Sequence, residues 1–577
     1  MSTNDMTETS MTIDQAQSGR TQADAGAAAG AEANLRQLLD EHGWFTLSKD
    51  GVVRCPLLVK GRLVDPPNVG LDAISRAFAV LDERRGSADA YESYVAVGDA
   101  QVLRHREIDR QTMLGMGRWI YTVMPSVDAK DLIETDIDGL TNELYSIPHE
   151  SVLEWLRLVS SALERKADIV ARVRDLDRMT SEHPDAFGDV AFGAFAFLLA
   201  PEIATASVDA ELSQHGIPGR RLLDEWVEVP TTRMPGPVHM VGADILPEAL
   251  TRELPSHKTL VRAMPTRQIH ITAGNSPLVP ILSLLRAVWT KSPCVLKLPS
   301  GAVLPGGLIA LIAATVAPRH PITQHLSMVY WQGGDENVER VLFFPNAFDR
   351  IVVWGAPDSI ASVRARAGFT KIICFNPRYS VSFIGRGALS DGDLDEVAAR
   401  AVCDSMVENQ KACIASLVHY VEGSVEDAEL YAAAVERALD RWDAQMPHPL
   451  LNRHRGQLKR IERGVLLDAR VRFRQVDGAY RSGVVVAPHD FAIKDHPMCR
   501  LIVVRPVSNL DECLRFLHPG VATVGISPDA RRLSLRDRVA ARGVSNVVPL
   551  GHAGAVAAGS SHDGMLVLSE LVDWKNG

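Results

Sequence analysis

From about residue 258 onward the chain alternates short β-rich runs with helical segments, and this alternation restricts the fold more than any other feature of the sequence. "TLVRAMPTRQIHITAG" reads as a strand run closing on Gly274, "PLVPILSLLRAVWTKS" as a helix and "PCVLKLPS" as a strand. "PGGLIALIAATVAP" reads as a helix, "LSMVYWQGG" as a strand ending in a glycine pair, and "ENVERVLFF" as a helix. "FDRIVVWGA" (strand), "PDSIASVRARAG" (helix), and the strands "KIICF" and "SVSFIG" follow. Repeated strand–helix–strand units imply a parallel sheet covered on both faces. Ligands of such sheets bind beyond the carboxyl ends of the strands. That rule selects Gly274–Asn275, Lys297–Ser300, Gly333–Gly334 and Gly355–Ala356.

The preceding half reads differently. Residues 1–30 are rich in Ser, Thr, Gln, Gly and Ala and hold too little apolar surface to offset the entropy of ordering, so disorder is expected there. A first helix is expected to start near Asn34, and "VVRCPLLVKGRLV" reads as one or two short strands with Gly61 at a turn. Residues 70 to 215 carry a mainly helical pattern, including "SVLEWLRLVSSALERKADIVARVRDL", and "FGAFAFLLA" (192–200) reads as a buried helix.

Composition closes several function classes. The 577 residues carry a formal net charge of −10, which argues against nucleic acid as the main partner, because phosphate binding needs a concentrated basic face. The basic cluster Lys459, Arg460 and Arg463 reads as a solvated helix face. The N-terminus lacks the basic start and apolar run of a secretory signal, and no apolar stretch approaches the ~20 residues of a membrane span. Seven cysteines, an odd number without a C-x-x-C pair, point away from a disulfide framework or zinc ribbon and toward a reducing cytoplasm.

Neither G-x-G-x-x-G nor a P-loop follows these strands, so the chemistry must come from strand-end residues. Cys413, in "MVENQKACIASLVHYVEG", is a candidate nucleophile if a helix N-terminus or nearby dipoles favour its thiolate; otherwise it is a small buried hydrophobe. Asn409–Gln410 just before it weighs toward function. Glu408 reads as an exposed helix carboxylate and Cys403 as core. Asn275 could donate a hydrogen bond to a developing oxyanion, or be a plain turn residue. Lys297 could reach a ribose or phosphate, or simply be solvated; Gly355 opens a helix whose N–H groups could face a pyrophosphate, or is a plain turn.

Taken in order, "GNSP", "VLKLPS", "QGGDE", "VVWGA" and "NQKAC" resemble the aldehyde dehydrogenase superfamily, and within it the acyl-CoA reductase branch of the LuxC type. The resemblance runs from about 258 to the C-terminus, including "GISPDARRLSLRDRVAARGVSNVVPLG" and "HDGMLVLSELVDW"; residues 50–70 also match that branch's opening. It implies an α/β, aldehyde-dehydrogenase-like fold: a parallel-sheet cofactor domain (258–385) facing an α/β catalytic domain with a C-terminal return (386–577). A largely helical N-terminal region (31–257) would pack on the cofactor domain. By the same resemblance Cys413 is the thiol nucleophile and Asn275 the oxyanion-hole amide, acting with the Cys413 N–H. Lys297 holds the adenosine ribose, and Gly333, Gly334 and Gly355 lie at the cofactor.

Two departures from the family pattern shape the expected reaction. Where hydrolytic members carry a water-activating glutamate, "KIICFNPRYS" offers Phe375 or Asn376, neither a useful proton acceptor. The E-x-F-G-P motif is replaced by "KDHPMCRLIVV". A thioester intermediate spared from water would instead be reduced, so the expected activity is reduction of an acyl-CoA or acyl-carrier-protein thioester to an aldehyde. Ser300 stands three residues after Lys297, where relatives commonly place a glutamate that repels a 2′-phosphate, so NADPH is the expected cofactor. An acyl-transfer or acyl-activating partner protein and a homo-oligomer are further expectations. The alternatives are an oxidative aldehyde dehydrogenase and a catalytically silent subunit that binds an acyl-transfer partner.

Overall fold

The computed structural model describes residues 35–85, 92–109, 115–165, 167–180, 193–231, 258–390, 394–446, 458, 470–476, 479–489 and 493–577. The N-terminal 30 residues and Lys459, Arg460 and Arg463 lie outside them. A helix over 35–42 opens the described chain, followed by β1 (Val52–Arg54), β2 (Leu57–Val59) and β3 (Arg62–Val64). β2 and β3 form a hairpin whose turn residues Lys60 and Gly61 both have positive φ, as the twist of a two-residue hairpin requires. A Cβ on Gly61 would stand 2.8 Å from the Thr323 carbonyl oxygen, so this turn is also tightly packed.

The expected helical run over 70–215 is interrupted. After the helix Leu71–Arg85 come three strands, β4 (Glu92–Val97), β5 (Ala100–Asp109) and β6 (Gly115–Pro125), which with β1 make a four-stranded sheet in the order β1-β6-β5-β4. The signal was present in the two-residue Gly98–Asp99 turn between β-rich runs, Gly98 having φ +59°. Ile74 and Phe78 of the helix pack on Val102, Tyr121 and Val123 of the sheet. The segment 193–198 is helical but buries only one face: Phe195 is buried while Phe197 is 61% exposed.

β7 (Val227–Pro230) and β8 (Lys258–Met264) lead into the first large sheet, built from β9 (Gln268–Ile271), β10 (Cys294–Lys297), β11 (Leu326–Val329), β12 (Arg350–Trp354) and β13 (Lys371–Phe375). These five strands are mutually parallel and lie in the order β13-β12-β9-β10-β11, with β2 and β3 added antiparallel at one edge. Helices Leu278–Trp289, Val303–Val316, Glu336–Leu342 and Pro357–Arg366 make the crossovers. The chain leaves β9 toward β10 and later returns to its other side as β12, so the carboxyl end of β9 is a topological switch point.

The second large sheet comprises β14 (Tyr379–Ile384), β15 (Ser416–Glu422), β16 (Arg470–Val476), β17 (Ala479–Val486), β18 (Leu501–Val507), β19 (Val521–Ser527) and β20 (Asn546–Pro549), ordered β16-β17-β18-β15-β14-β19-β20. All neighbours are parallel except β16 and β17. Because β14 pairs with β15 and β19, the first sheet ends at Phe375 rather than at the expected boundary of 385. β14 reads like the preceding strands, and only its partners reveal where it belongs. Helices Leu394–Ser405 and Val425–Gln445 cover one face of this sheet and Asp529–Ala540 the other. The chain ends in β21 (Asp573–Asn576), which pairs with β8. Among the described residues no helix is long and apolar enough to cross a membrane.

Candidate active site between the two sheets

At the first sheet, the strand ends are held from beneath by a buried polar chain. Gln268 Oε1 bonds to His270, whose other ring nitrogen lies 2.8 Å from Ser283 Oγ, and Trp354 Nε1 donates to the same hydroxyl at 3.0 Å. Burial drives His270 down to about 3, so its ring is neutral and serves only as a hydrogen-bonding link. Trp354, at the end of β12, is thereby fixed, and its ring stacks on Phe375 at 3.7 Å and 14°. His562 meets both rings edge-on. An aromatic stack thus fills the strand-end region where the family's water-activating carboxylate was sought.

The expected cofactor residues all lie at the carboxyl ends of parallel strands. Lys297 ends β10, with Nζ 5.5 Å from the centroids of both Tyr330 and Trp331. Ser300 begins a single turn, Ser300–Ala302, and does not cap the following helix, whose N-cap is Ala302. Gly333 and Gly334 turn after β11, and no atom lies within 4 Å of where a Cβ on either would stand. Gly355 leads into the helix Pro357–Arg366, which starts without a side-chain cap. An uncapped helix start, an open glycine turn and an ammonium at the carboxyl end of one sheet suit a phosphate-bearing dinucleotide.

At the second sheet, the segment before Cys413 is held in a costly conformation. Glu408, Asn409 and Gln410 have φ of 49°, 55° and 67°, the left-handed region that costs a non-glycine residue on the order of 1–2 kcal/mol. Buried partners hold it there. Asn409 Oδ1 accepts from Arg500 Nε at 2.6 Å, and Gln410 Nε2 donates to the Leu501 carbonyl at 2.7 Å. Arg500, 1% exposed, is ion-paired with Asp443, which also accepts from Arg474 and Ser482, each at 2.9 Å. Beyond this segment the chain turns through Cys413 into β15, and Ser380 Oγ donates to the Cys413 carbonyl at 3.0 Å.

The two sheets meet at this loop. Asn275 Nδ2 donates to the Lys411 carbonyl at 3.1 Å, so the strand-end amide from the first sheet reaches the nucleophile loop of the second. Ser276 Oγ donates to Glu408 Oε1 while accepting the Leu278 N–H at 3.1 Å. Glu408 is therefore not the exposed helix carboxylate expected from its sequence: it is 7% exposed, and its Oε2 is buried without a hydrogen-bond partner. Burial raises it to about 7, against the lowering effects of Ser276 and Lys411. From the C-terminal segment, Asp563 lies 3.3 Å from Arg378 Nε in a buried ion pair.

No helix begins at Cys413, and its environment does not favour the thiolate as expected. Burial, then the charges of Asp563 and Glu408, push the thiol up to about 11, with Arg378 opposing them. Cys413 is partly accessible, whereas Cys55, Cys294, Cys499 and Cys513 are buried. Cys403, expected in the core, is exposed on the helix Leu394–Ser405. Sequence reasoning brought Cys413 and Asn275 together but missed Ser276, Arg378 and Asp563. All three sit in quoted motifs ("GNSP", "NPRYS", "HDGM"), but nothing local indicates that they converge.

This architecture, two parallel sheets meeting at a cysteine loop, is the aldehyde dehydrogenase fold. Aldehyde dehydrogenase 21 from Physcomitrella patens superposes with a TM-score of 0.62 at 11% identity, covering 91% of this chain and 97% of that one. The NADP-dependent glyceraldehyde-3-phosphate dehydrogenase from Bacillus halodurans C-125 gives 0.62 at 13%, covering 91% and 98%. Residues 245–574 match the acyl-CoA reductase (LuxC) family, and the chain belongs to it. It is 29% identical over 334 residues to a long-chain acyl-protein thioester reductase of Photorhabdus laumondii, covering 56% of this chain and 66% of that protein. The protein of the same name from Aliivibrio fischeri is 27% identical over 322 residues, covering 55% and 65%. The match thus spans about two thirds of the length of these relatives.

Proposed function

We propose that this protein reduces a long-chain acyl thioester, carried by CoA or an acyl-carrier protein, to the aldehyde through a thioester on Cys413. The observation that carries the reading is the meeting of Cys413's loop with Asn275 from the opposite sheet, beside an aromatic stack instead of a water-activating carboxylate. Cys413 attacks the acyl carbon, the carrier thiol departs, and Asn275 Nδ2 with the Cys413 N–H holds the oxyanion. That role requires Asn275 to exchange its bond to the Lys411 carbonyl for the substrate oxygen. The hydrophobic Trp354–Phe375 stack stands where hydrolytic members of the family carry their water-activating carboxylate, so hydrolysis of the acyl-enzyme is slowed.

NADPH would bind at the carboxyl end of the first sheet, with Lys297 and Ser300 at the adenosine ribose and its 2′-phosphate, and Gly333, Gly334 and Gly355 at the backbone turns. Bound there, the cofactor supplies the hydride that turns the acyl group into an aldehyde. The relatives from Photorhabdus laumondii and Aliivibrio fischeri, long-chain acyl-protein thioester reductases, support the substrate class. An acyl-transfer partner protein, a homo-oligomer and a cytoplasmic setting complete the proposal. The stacked aromatics weigh against the oxidative alternative, and the Asn275–Lys411 junction against a silent subunit.

Incubation with a panel of acyl-CoAs and acyl-carrier proteins, without cofactor, should leave an acyl adduct on Cys413 detectable by peptide mass spectrometry. Cys413→Ala should carry none. An unmodified wild-type Cys413 across the panel would overturn the thioester reading; adduct followed by acid rather than aldehyde on adding NADPH would favour the oxidative enzyme.

A further inference from the structure

The acyl-transfer reading leaves a proton without a handler. Cys413 begins as a thiol, because burial and two carboxylates hold it up near 11, so attack on a thioester at neutral pH needs a base. Two carboxylates act on it. Asp563 is committed to an ion pair with Arg378. Glu408 is differently placed: Oε1 is tied to Ser276, while Oε2 is buried and unpartnered. A native carboxylate oxygen left in that state carries the full cost of its desolvation, and such an oxygen asks for a functional account. The backbone adds a second cost, since Glu408 occupies the left-handed region at φ 49°.

We propose that Glu408, clamped by Ser276 with its Oε2 left open in the loop that carries Cys413, is the proton acceptor and donor for that thiol. The proposal rests on the acyl-thioester reading. As the Cys413 sulfur bonds to the acyl carbon, its proton passes through one water to Glu408 Oε2, which makes no hydrogen bond to the thiol itself. The carrier's carbon–sulfur bond breaks, and the departing thiolate takes that proton from Glu408. When the aldehyde later leaves, the Cys413 thiolate recovers a proton from Glu408, which has taken one from solvent. Nothing is oxidised or reduced in the first exchange.

Among the described residues, four other side chains act on this pair. Ser276 from the first sheet and Lys411 from the loop favour the charged form of Glu408. Asp563 from the C-terminal segment disfavours the Cys413 thiolate, and Arg378 favours it. With Glu408 near 7, the carboxylate accepts a proton above that pH and returns it at little cost.

The test follows Cys413 acylation by an acyl-CoA in the absence of cofactor, as a function of pH, alongside iodoacetamide alkylation of the same peptide. Wild-type acylation should rise through about pH 7 and level off. Glu408→Gln keeps the shape and the Ser276 contact; it should acylate ~10²-fold more slowly and lose that rise. Its Cys413 should alkylate with a lower midpoint, since one of the two opposing charges is gone. Ser276→Ala removes a bond that favours the carboxylate, so the rise should move above pH 7, which keeps the proposal testable if Glu408→Gln folds poorly. A Glu408→Gln enzyme that acylates at the wild-type rate with the wild-type pH profile overturns the role of Glu408 alone. Absence of any wild-type adduct overturns the acyl-thioester reading, and this proposal with it.

Discussion

The two seven-stranded sheets are built alike and finished differently. The first ends its strands in open turns: Gly333 and Gly334 have no neighbour where a side chain would stand, and the helix Pro357–Arg366 starts without a cap. The second ends in a segment of three left-handed residues locked by Arg500, Asp443 and the Leu501 carbonyl. A surface that binds a ligand through backbone N–H groups needs free donors and space. A surface that presents a single sulfur atom needs position, and strain held by buried hydrogen bonds supplies it. The first sheet can therefore tolerate change at its carboxyl end, whereas the second cannot.

The sharpest way to break this contrast is to cut the anchor of the second sheet. Asp443→Ala leaves the Arg500 guanidinium buried without its carboxylate, and a loss of ~3–5 kcal/mol is expected in denaturant unfolding, together with slower Cys413 acylation. A loss below about 1 kcal/mol would mean that the left-handed segment holds itself.

The junction between the sheets should be next in size. Asn275→Ala removes the amide that reaches the Cys413 loop, and turnover should fall ~10²–10³-fold with little change in KM. A rise in KM at unchanged turnover would assign Asn275 to substrate positioning instead.

The open carboxyl end of the first sheet should show the smallest effect and the most selective one. Ser300→Glu places a carboxylate beside the region proposed for the 2′-phosphate, and kcat/KM for NADPH should fall about tenfold relative to NADH, with no loss of thermal stability. Equal effects on both cofactors, or a wild-type preference for NADH, would remove Ser300 as the discriminating residue.

The sequence by itself determined the alternation of strands and helices and the carboxyl-end positions of Asn275, Lys297, Gly334 and Gly355, while only its resemblance to the family pointed to Cys413 as the thiol to follow. Hydrophobic periodicity and turn residues act over a few positions, so they remain readable in a single chain. The three strands over 92–125 were masked by the helical pattern around them, although the Gly98–Asp99 turn was legible. Only the tertiary structure decided that β14 pairs with β15 and not with β13, because two adjacent apolar strands look the same whichever sheet they join. It also decided the character of Glu408. In sequence it is one carboxylate among many; it becomes a buried group with one open oxygen because Ser276, far away along the chain, is brought to it across the sheet junction. Burial and long-range pairing set a carboxylate's proton affinity, and neither is written in the residues beside it.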